Sequence, residues 1–143
     1  MFTVDARGAE DAWWETGLML EIAEEHDEHT TGGAVDIRNC FDQLIRTLIY
    51  AQAKAAGMPQ GVLSAYVTFQ EKLTTRNSLA GGLGKAYTKP CGIPQGCPLS
   101  MMFVALDMRP WTQMVKDMGG HPRILADDMF LKTQGEDHVN HFV

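Results

Sequence analysis

The sequence predicts an α+β protein in which helices pack on one face of a small antiparallel sheet. The predicted elements run helix, strand, helix, helix, strand, helix and hairpin, an order that mixes helices with strands. The chain has 143 residues, of which 45% are hydrophobic, so its length suits one domain with a buried core. A charged fraction of 21% excludes a chain that is disordered throughout.

The first half of the chain has helical periodicity around one short strand. Residues 9–29 carry an apolar stripe at a spacing of four, whose members are expected in the core: Trp14, Leu18 and Ile22, with Trp13 beside them. Residues 33–37 are typical of a short buried strand, in which Asp36 is the carboxylate near the end. A second helix is predicted from Asp42, with a single buried face formed by Leu44, Ile45, Leu48 and Ile49. Gly57 ends it, and Pro59 opens a third helix over about 59–73.

The second half predicts a glycine-rich turn, a long helix and a hairpin. Residues 77–90 indicate a turn and a strand, or a small hairpin. A helix is predicted over 98–118, with its core side formed by Leu99, Met102, Phe103, Leu106 and Trp111. In the segment 122–132, two apolar runs flank Asp127 and Asp128, which predicts a β-hairpin with both carboxylates at its tip.

The charge is unevenly distributed. The net charge is −6, but residues 1–30 alone carry −8, whereas residues 37–123 carry +6. A basic middle is compatible with a polyanionic partner, although the net charge predicts weak binding of nucleic acid by this chain alone. Three cysteines fit no disulfide framework, and neither a signal peptide nor a membrane-spanning run is recognisable. We therefore expect an intracellular protein of the nucleus or cytoplasm, neither secreted nor bound to a membrane.

Two patterns could carry chemistry. Asp36, Asp127 and Asp128 each lie beside apolar β-sequence, where unpaired carboxylates repel each other and are costly to desolvate. Mg²⁺ would relieve that cost, and two ions ~3.5–4 Å apart can serve phosphoryl transfer. The alternative is that the paired aspartates are ordinary solvated turn residues. In the segment 92–100, glycines bracket Pro94 and Gln95 before a helix, a pattern that suits a phosphate or a plain strand–turn–helix junction.

The segments AVDIRNCFDQ, GIPQGCPLS and ILADDMF, in this order, resemble motifs A, B and C of the reverse transcriptase palm. The likeness is greatest to non-LTR retroelements (retrotransposons) and to group II intron proteins. Asp36, Phe41 and Asp42 match motif A; Pro94-Gln95-Gly96 with Ser100 matches motif B; and Asp127-Asp128 matches motif C. Leu125 departs from the family, which has an aromatic residue there, and Met101 replaces a proline.

This resemblance implies RNA-directed DNA polymerase activity, in which a primer 3′-hydroxyl attacks a deoxynucleotide and releases pyrophosphate. Asp36 and Asp127 would be the principal ligands of two Mg²⁺ ions (or Mn²⁺), assisted by Asp128 and the backbone carbonyl of Ile37. Phe41 would exclude a 2′-hydroxyl as a steric gate. Gln95 would contact the incoming nucleotide, and Gly96 would allow close approach to the backbone.

The resemblance also implies an organisation and partners. Residues 1–30 would be an acidic helix left from fingers and palm, 31–135 the palm core with motifs A, B and C, and 136–143 a frayed C-terminal end. The palm would be incomplete, with no thumb and most of the fingers missing. The partners would be an RNA template, a DNA primer, deoxynucleoside triphosphates, and the remaining fingers and thumb of a larger polymerase.

Other interpretations remain open at this point. The chain could be a catalytically inactive truncated retroelement remnant, or the palm of an RNA-dependent RNA polymerase, although Phe41 argues against the latter. Asp42 is expected to cap the following helix rather than bind metal. Four basic residues could contact phosphates or lie on a solvated surface: Arg38, Lys85, Lys89 and Arg123.

Overall fold

The computed structural model describes residues 8–142, which fall into two compact units. Of the described residues, the first unit combines 8–37 with 108–142, and the second is Arg38–Asp107. In chain order the elements are α1 (Ala9–Glu25), β1 (Thr30–Asp36), α2 (Cys40–Gln43), α3 (Arg46–Ala55), α4 (Gln60–Lys72), β2 (Ser78–Leu79), β3 (Gly82–Leu83), α5 (Ser100–Asp117), β4 (His121–Leu125), β5 (Asp128–Gln134) and α6 (His138–Phe142). The predicted α+β class is confirmed.

The first unit is built on a three-stranded antiparallel sheet of order β1-β5-β4. β4 and β5 form the predicted hairpin, joined by the two-residue turn Ala126-Asp127. β1 pairs with the outer side of β5 along its whole length, from Thr30 opposite Gln134 to Asp36 opposite Asp128. Because directly opposed residues project to the same side of a sheet, this register assigns every strand residue to one of two faces.

Helices cover both faces of this sheet, so the prediction that they pack on one face is wrong. On one face, Arg123 forms an ion pair with Glu15 of α1 at 2.6 Å, and Lys132 donates a hydrogen bond to the Met19 carbonyl at 3.0 Å. On the other face, side-chain atoms of Val115 and Leu131 lie 2.8 and 2.9 Å from the position that a Cβ on Gly120 would occupy. The turn at Met118 and Gly119 leads from α5 into β4 and so brings the end of α5 onto this second face.

The α1 helix forms, but the stripe expected in the core faces solvent. Trp13 and Trp14 are each 80% exposed, Leu18 is 56% exposed, and Ile22 is 44% exposed. The side turned inward carries smaller residues, of which Ala23 is fully buried and Thr16 is half-buried. The spacing of apolar residues predicted the helix correctly. Which side of the helix is buried depended on its packing against the sheet, where smaller side chains lie.

Two further expectations for the first unit are corrected. β1 ends at Asp36, one residue before the predicted end, and it begins earlier, at Thr30. It is also not buried, since Val35 is 61% exposed. It is an edge strand with one neighbour, which leaves it open to solvent. The C-terminal residues 138–142 form the short helix α6 rather than a frayed end, and the Thr133 hydroxyl donates to the His138 carbonyl at 2.5 Å.

In the second unit, the helix predicted from Asp42 is broken into α2 and α3. Leu44 and Ile45 have extended backbone, with ψ of 131° and 105°, so α3 begins only at Arg46. This break turns the following residues, and the predicted common face is lost. Leu44 and Ile49 are buried as expected, but Ile45 and Leu48 are exposed, and Arg46 is buried in their place.

The remaining elements of the second unit agree closely with the sequence. Gly57 ends α3 with a φ of +87°, and α4 follows Pro59 as predicted. The glycine-rich segment forms the β2–β3 hairpin. Tyr66 of α4 packs on Phe103 of α5 with ring centroids 4.6 Å apart, and Phe103 is fully buried, whereas Met102 is partly exposed. None of the helices in the described part of the chain is long and apolar enough to cross a membrane.

Candidate active site

The first unit gathers three predicted metal-binding aspartates at the tip of the β4–β5 hairpin. Asp36, the last residue of β1, lies directly opposite Asp128, the first residue of β5. The backbone N–H of Ile37 donates to the carbonyl of Asp127 at 3.0 Å, so the ladder continues one step into the turn. Because hydrogen-bonded and non-hydrogen-bonded pairs alternate, Asp36 and Asp128 form a non-hydrogen-bonded pair, whose Cα atoms are ~4.5 Å apart.

Two carboxylates on opposed residues make this tip electrostatically unfavourable by itself. Like charges directly across a pair of strands destabilise a sheet. Asp36 and Asp128 are exposed, Asp127 is half-buried, and none of the three forms an ion pair with the described residues. By contrast, Arg123, farther from the tip on the same face, is neutralised by Glu15. A cation at the tip would relieve the repulsion.

The side chains do not form a ready-made metal cage. Among residues 8–142, no group of three or more His, Cys, Asp or Glu side chains could hold a metal ion. Mg²⁺, however, usually takes only one or two carboxylates and completes its shell with water and substrate phosphates. The opposed pair Asp36 and Asp128, with Asp127 adjoining, therefore has the donor chemistry that such an ion needs.

The second unit contains Phe41, Gln95 and Gly96, which the sequence predicted to contact a nucleotide. Phe41 is half-buried in α2, and its carbonyl accepts a hydrogen bond from the N–H of Ile93 at 2.8 Å. The N–H of Gly92 likewise donates to the Leu44 carbonyl at 2.8 Å. These two bonds hold the segment that leads into Pro94-Gln95-Gly96 against α2, so this loop and Phe41 are adjacent within the unit.

The two glycines of this loop, Gly92 and Gly96, both have a positive φ but differ in the space around them. Gly92 has a φ of +81°, and a Cβ there would lie only 2.7–2.9 Å from backbone atoms of Asp42, so no larger residue fits. Gly96 has a φ of +82°, yet a Cβ there would have open space around it. Ser100, fully buried at the start of α5, donates to the Pro94 carbonyl at 2.7 Å and ties the loop to that helix. The loop is therefore anchored at both ends and open at Gln95 and Gly96, which are both exposed.

Arg46 holds this loop in place, and sequence reasoning missed it. The side chain is buried, and its Nε donates to the Gly92 carbonyl at 2.7 Å. Longer contacts of 3.4 Å join its other nitrogens to the carbonyls of Cys91 and Gln70. The available signal was an arginine inside the apolar run of residues 44–49, where a solvated cation is unexpected.

A cavity of about 360 Å³ adjoins the loop within the second unit. Its walls include Arg46, Lys89 and Gln95 together with Asp42. The Asp42 carboxylate accepts a hydrogen bond from Lys89 Nζ at 2.7 Å, and this bond raises the pKa of the lysine. Asp42 thus lies inside α2 and pairs with a lysine, so its predicted role as the cap is wrong; the cap position is occupied by Asn39.

Of the four basic residues expected at phosphates or on the surface, two form ion pairs and two are exposed to solvent. Lys89 and Arg123 are half-buried in ion pairs with Asp42 and Glu15. Arg38 and Lys85 are exposed.

The fold and the two sets of residues define an α+β protein with opposed carboxylates at a hairpin tip and an arginine-anchored Pro-Gln-Gly loop. Comparison with models of known protein families gave no match, and comparison with curated proteins gave none either. The functional assignment is therefore drawn from the residues and their geometry.

Proposed function

We propose that this chain is the catalytic core of an RNA-directed DNA polymerase. The observation that carries the proposal is the direct pairing of Asp36 with Asp128, with Asp127 in the adjoining turn. Residues more than 90 positions apart in the chain provide two carboxylates at one point of a sheet, next to a third. The resemblance of the three motifs to the reverse transcriptase palm supports the same assignment independently of this geometry.

In this proposal Asp36 and Asp127 hold Mg²⁺, assisted by Asp128 and the Ile37 carbonyl. When bound, Mg²⁺ lowers the pKa of an attacking hydroxyl and neutralises charge on the leaving phosphate oxygen. The aspartates themselves position the cations at the edge of the sheet, where exposure leaves room for waters and phosphates. Mn²⁺ accepts the same oxygen ligands and can replace Mg²⁺.

The residues of the second unit would select the nucleotide. The half-buried ring of Phe41 would exclude a 2′-hydroxyl and so favour deoxynucleotides. Gln95 would contact the incoming nucleotide, and the open space at Gly96 would let the ligand approach the backbone. The anchored loop supports this role because a binding residue is effective only when its backbone is held in place.

The proposal is tested first by metal binding and then by primer extension. Mn²⁺ binding, followed by electron paramagnetic resonance, should be weakened about tenfold or more by Asp127→Asn, because one neutral amide replaces a charged ligand. The matched control is Asp137→Asn, which alters another exposed aspartate of the same unit. On an RNA template with a DNA primer and Mg²⁺, deoxynucleotides should be added by the chain and not by Asp127→Asn.

The results of these two experiments distinguish the polymerase proposal from its alternatives. Unchanged Mn²⁺ affinity in Asp127→Asn would overturn the ligand assignment. Metal binding without extension would favour the inactive remnant. Extension that persists in Asp127→Asn at the same rate would show that Asp127 has no part in the reaction.

A further inference from the structure

The outward side of α1 carries an unusual combination of aromatic and acidic residues. Trp13 and Trp14 are 80% exposed, although tryptophan normally buries much of its large surface. Leu18 continues the apolar surface one turn further, at 56% exposure. Contiguous exposed apolar surface of this kind marks an interaction site in soluble proteins.

These side chains surround a concavity, which we call the tryptophan notch. It has a volume of about 680 Å³ and is formed by Glu10, Trp13, Trp14, Glu15, Gly17, Leu18 and Glu21. Gly17 provides the floor, since it lies one helical turn after Trp13 and one residue before Leu18. A Cβ on Gly17 would have no atom within 4 Å, so the space above it is open. Glu10 lies one helical turn before Trp13 and Trp14, and Glu21 lies one turn after Gly17.

The chemistry of the notch indicates a cationic occupant. Two indole rings can each attract a cation to their faces, and the flanking carboxylates add charge attraction. The whole segment 1–30 carries a charge of −8, so the notch lies in a negative field. Arginine and lysine also have apolar stems that suit the surface of Trp14 and Leu18.

Charge also distinguishes between classes of partner. The acidic rim would repel the phosphates of a nucleic acid, although exposed tryptophans can stack on bases. A second copy of the chain, paired through the same helix, would bring acids against acids. A basic amphipathic helix satisfies both the apolar surface and the carboxylates.

We propose that the tryptophan notch is a docking site for a basic amphipathic helix of a partner protein, with an arginine or lysine side chain entering above Gly17. This surface is separate from the aspartates of the hairpin tip, so the inference does not rest on the polymerase assignment. The partner helix packs its leucines against Trp14 and Leu18 and places its cations at Glu10 and Glu21.

The test uses a fluorescein-labelled peptide of about 18 residues, made of leucine and arginine at helical spacing. Binding to the full chain is followed by fluorescence anisotropy. Gly17→Gln fills the notch with a side chain and should weaken binding about tenfold. Gly61→Gln is the matched control, because Gly61 also lies in a helix with open space around it and is far along the chain from the notch. Both changes favour a helix, so circular dichroism should show both variants folded.

A second pair of variants tests the charges. The double variant Glu10→Gln/Glu21→Gln should weaken binding of the arginine peptide several-fold. The double variant Glu24→Gln/Glu25→Gln removes the same charge outside the notch and should weaken binding less. A peptide with glutamate in place of arginine should not bind.

Four results would overturn the proposal. The first is that Gly17→Gln and Gly61→Gln bind the arginine peptide with equal affinity, and the second is that the glutamate peptide binds. The third is that the chain binds a single-stranded RNA oligonucleotide and Gly17→Gln does not. The fourth is that the chain associates with itself and Gly17→Gln does not. The last two would assign the notch to a nucleic acid or to a second copy.

Discussion

Two buried cations show how single residues are stabilised in this protein. Arg46 is surrounded by backbone carbonyls that accept its hydrogen bonds. Lys132 is only 2% exposed, and the Met19 carbonyl accepts its hydrogen bond. Burial lowers the pKa of Lys132, because the charged form loses more solvation than the neutral form.

The lowered pKa of Lys132 predicts a specific pH dependence of stability. Between that lowered value and the ordinary lysine value of 10.5, the folded state releases a proton that the unfolded state retains. Unfolding therefore takes up a proton in this window, and the free energy of unfolding of the native chain should rise with pH relative to Lys132→Met. Urea unfolding at pH values up to 10.5 measures the difference.

Lys85→Met is the control for this prediction, since Lys85 is exposed. The difference in the free energy of unfolding between the native chain and Lys85→Met should vary much less over the same pH range. If the difference for Lys132→Met also stayed constant, the buried lysine would have an ordinary pKa.

At the scale of elements, the anchoring of the Pro-Gln-Gly loop depends on the break between α2 and α3. The extended residues Leu44 and Ile45 point α3 so that Arg46, its first residue, is buried beneath the loop. The Leu44 carbonyl, freed by the same break, accepts the N–H of Gly92. One irregularity in a helical segment thus provides two of the attachments that hold residues 91–93.

Arg46→Met should therefore destabilise the protein and loosen this loop. Removing the guanidinium leaves the carbonyls of Gly92 and Cys91 without their partner, whereas the Gln70 carbonyl still accepts the N–H of Leu73. The free energy of unfolding should fall by about 3 kcal/mol. Urea unfolding measures this loss, and faster hydrogen exchange at Gly92 and Ile93 would locate it. Arg38→Met, on the surface, should change stability by less than ~0.5 kcal/mol. Equal effects of the two substitutions would contradict the anchoring role.

At the scale of the whole molecule, the charge distribution governs any contact with a polyanion. The basic region 37–123 carries +6, but residues 1–30 carry −8 and the rest of the chain carries −4, so the net charge is −6. A nucleic acid approaching the chain is attracted by one region and repelled by the other. Affinity should therefore be low and strongly dependent on salt.

The expected result is a Kd above ~10 μM for an RNA–DNA primer–template at about 150 mM salt, with at least tenfold tighter binding at about 20 mM. Replacing Glu21, Glu24 and Glu25 by glutamine removes three negative charges and should strengthen binding. Salt titrations followed by anisotropy measure both effects. Tight binding that did not change with salt would show that charge is not the governing term.

Local patterns in the sequence were sufficient for the order and type of most elements. The spacing of apolar residues predicted α1 and α5, Gly57 and Pro59 predicted the start of α4, and two apolar runs around Asp127-Asp128 predicted the β4–β5 hairpin. These features depend on residues a few positions apart, for which helix and turn preferences are informative. The candidate residues themselves were also identified from the sequence, because their order along the chain is itself a pattern.

Tertiary structure decided which surfaces are buried and which remote residues meet. The register that opposes Asp36 to Asp128 depends on the docking of β1 along β5, and no local pattern encodes it. The exposure of Trp13 and Trp14, and the burial of Arg46, depend equally on what each side chain meets after packing. The spacing of apolar residues indicates that a helix has one apolar side, but only the contact between elements determines which side is buried.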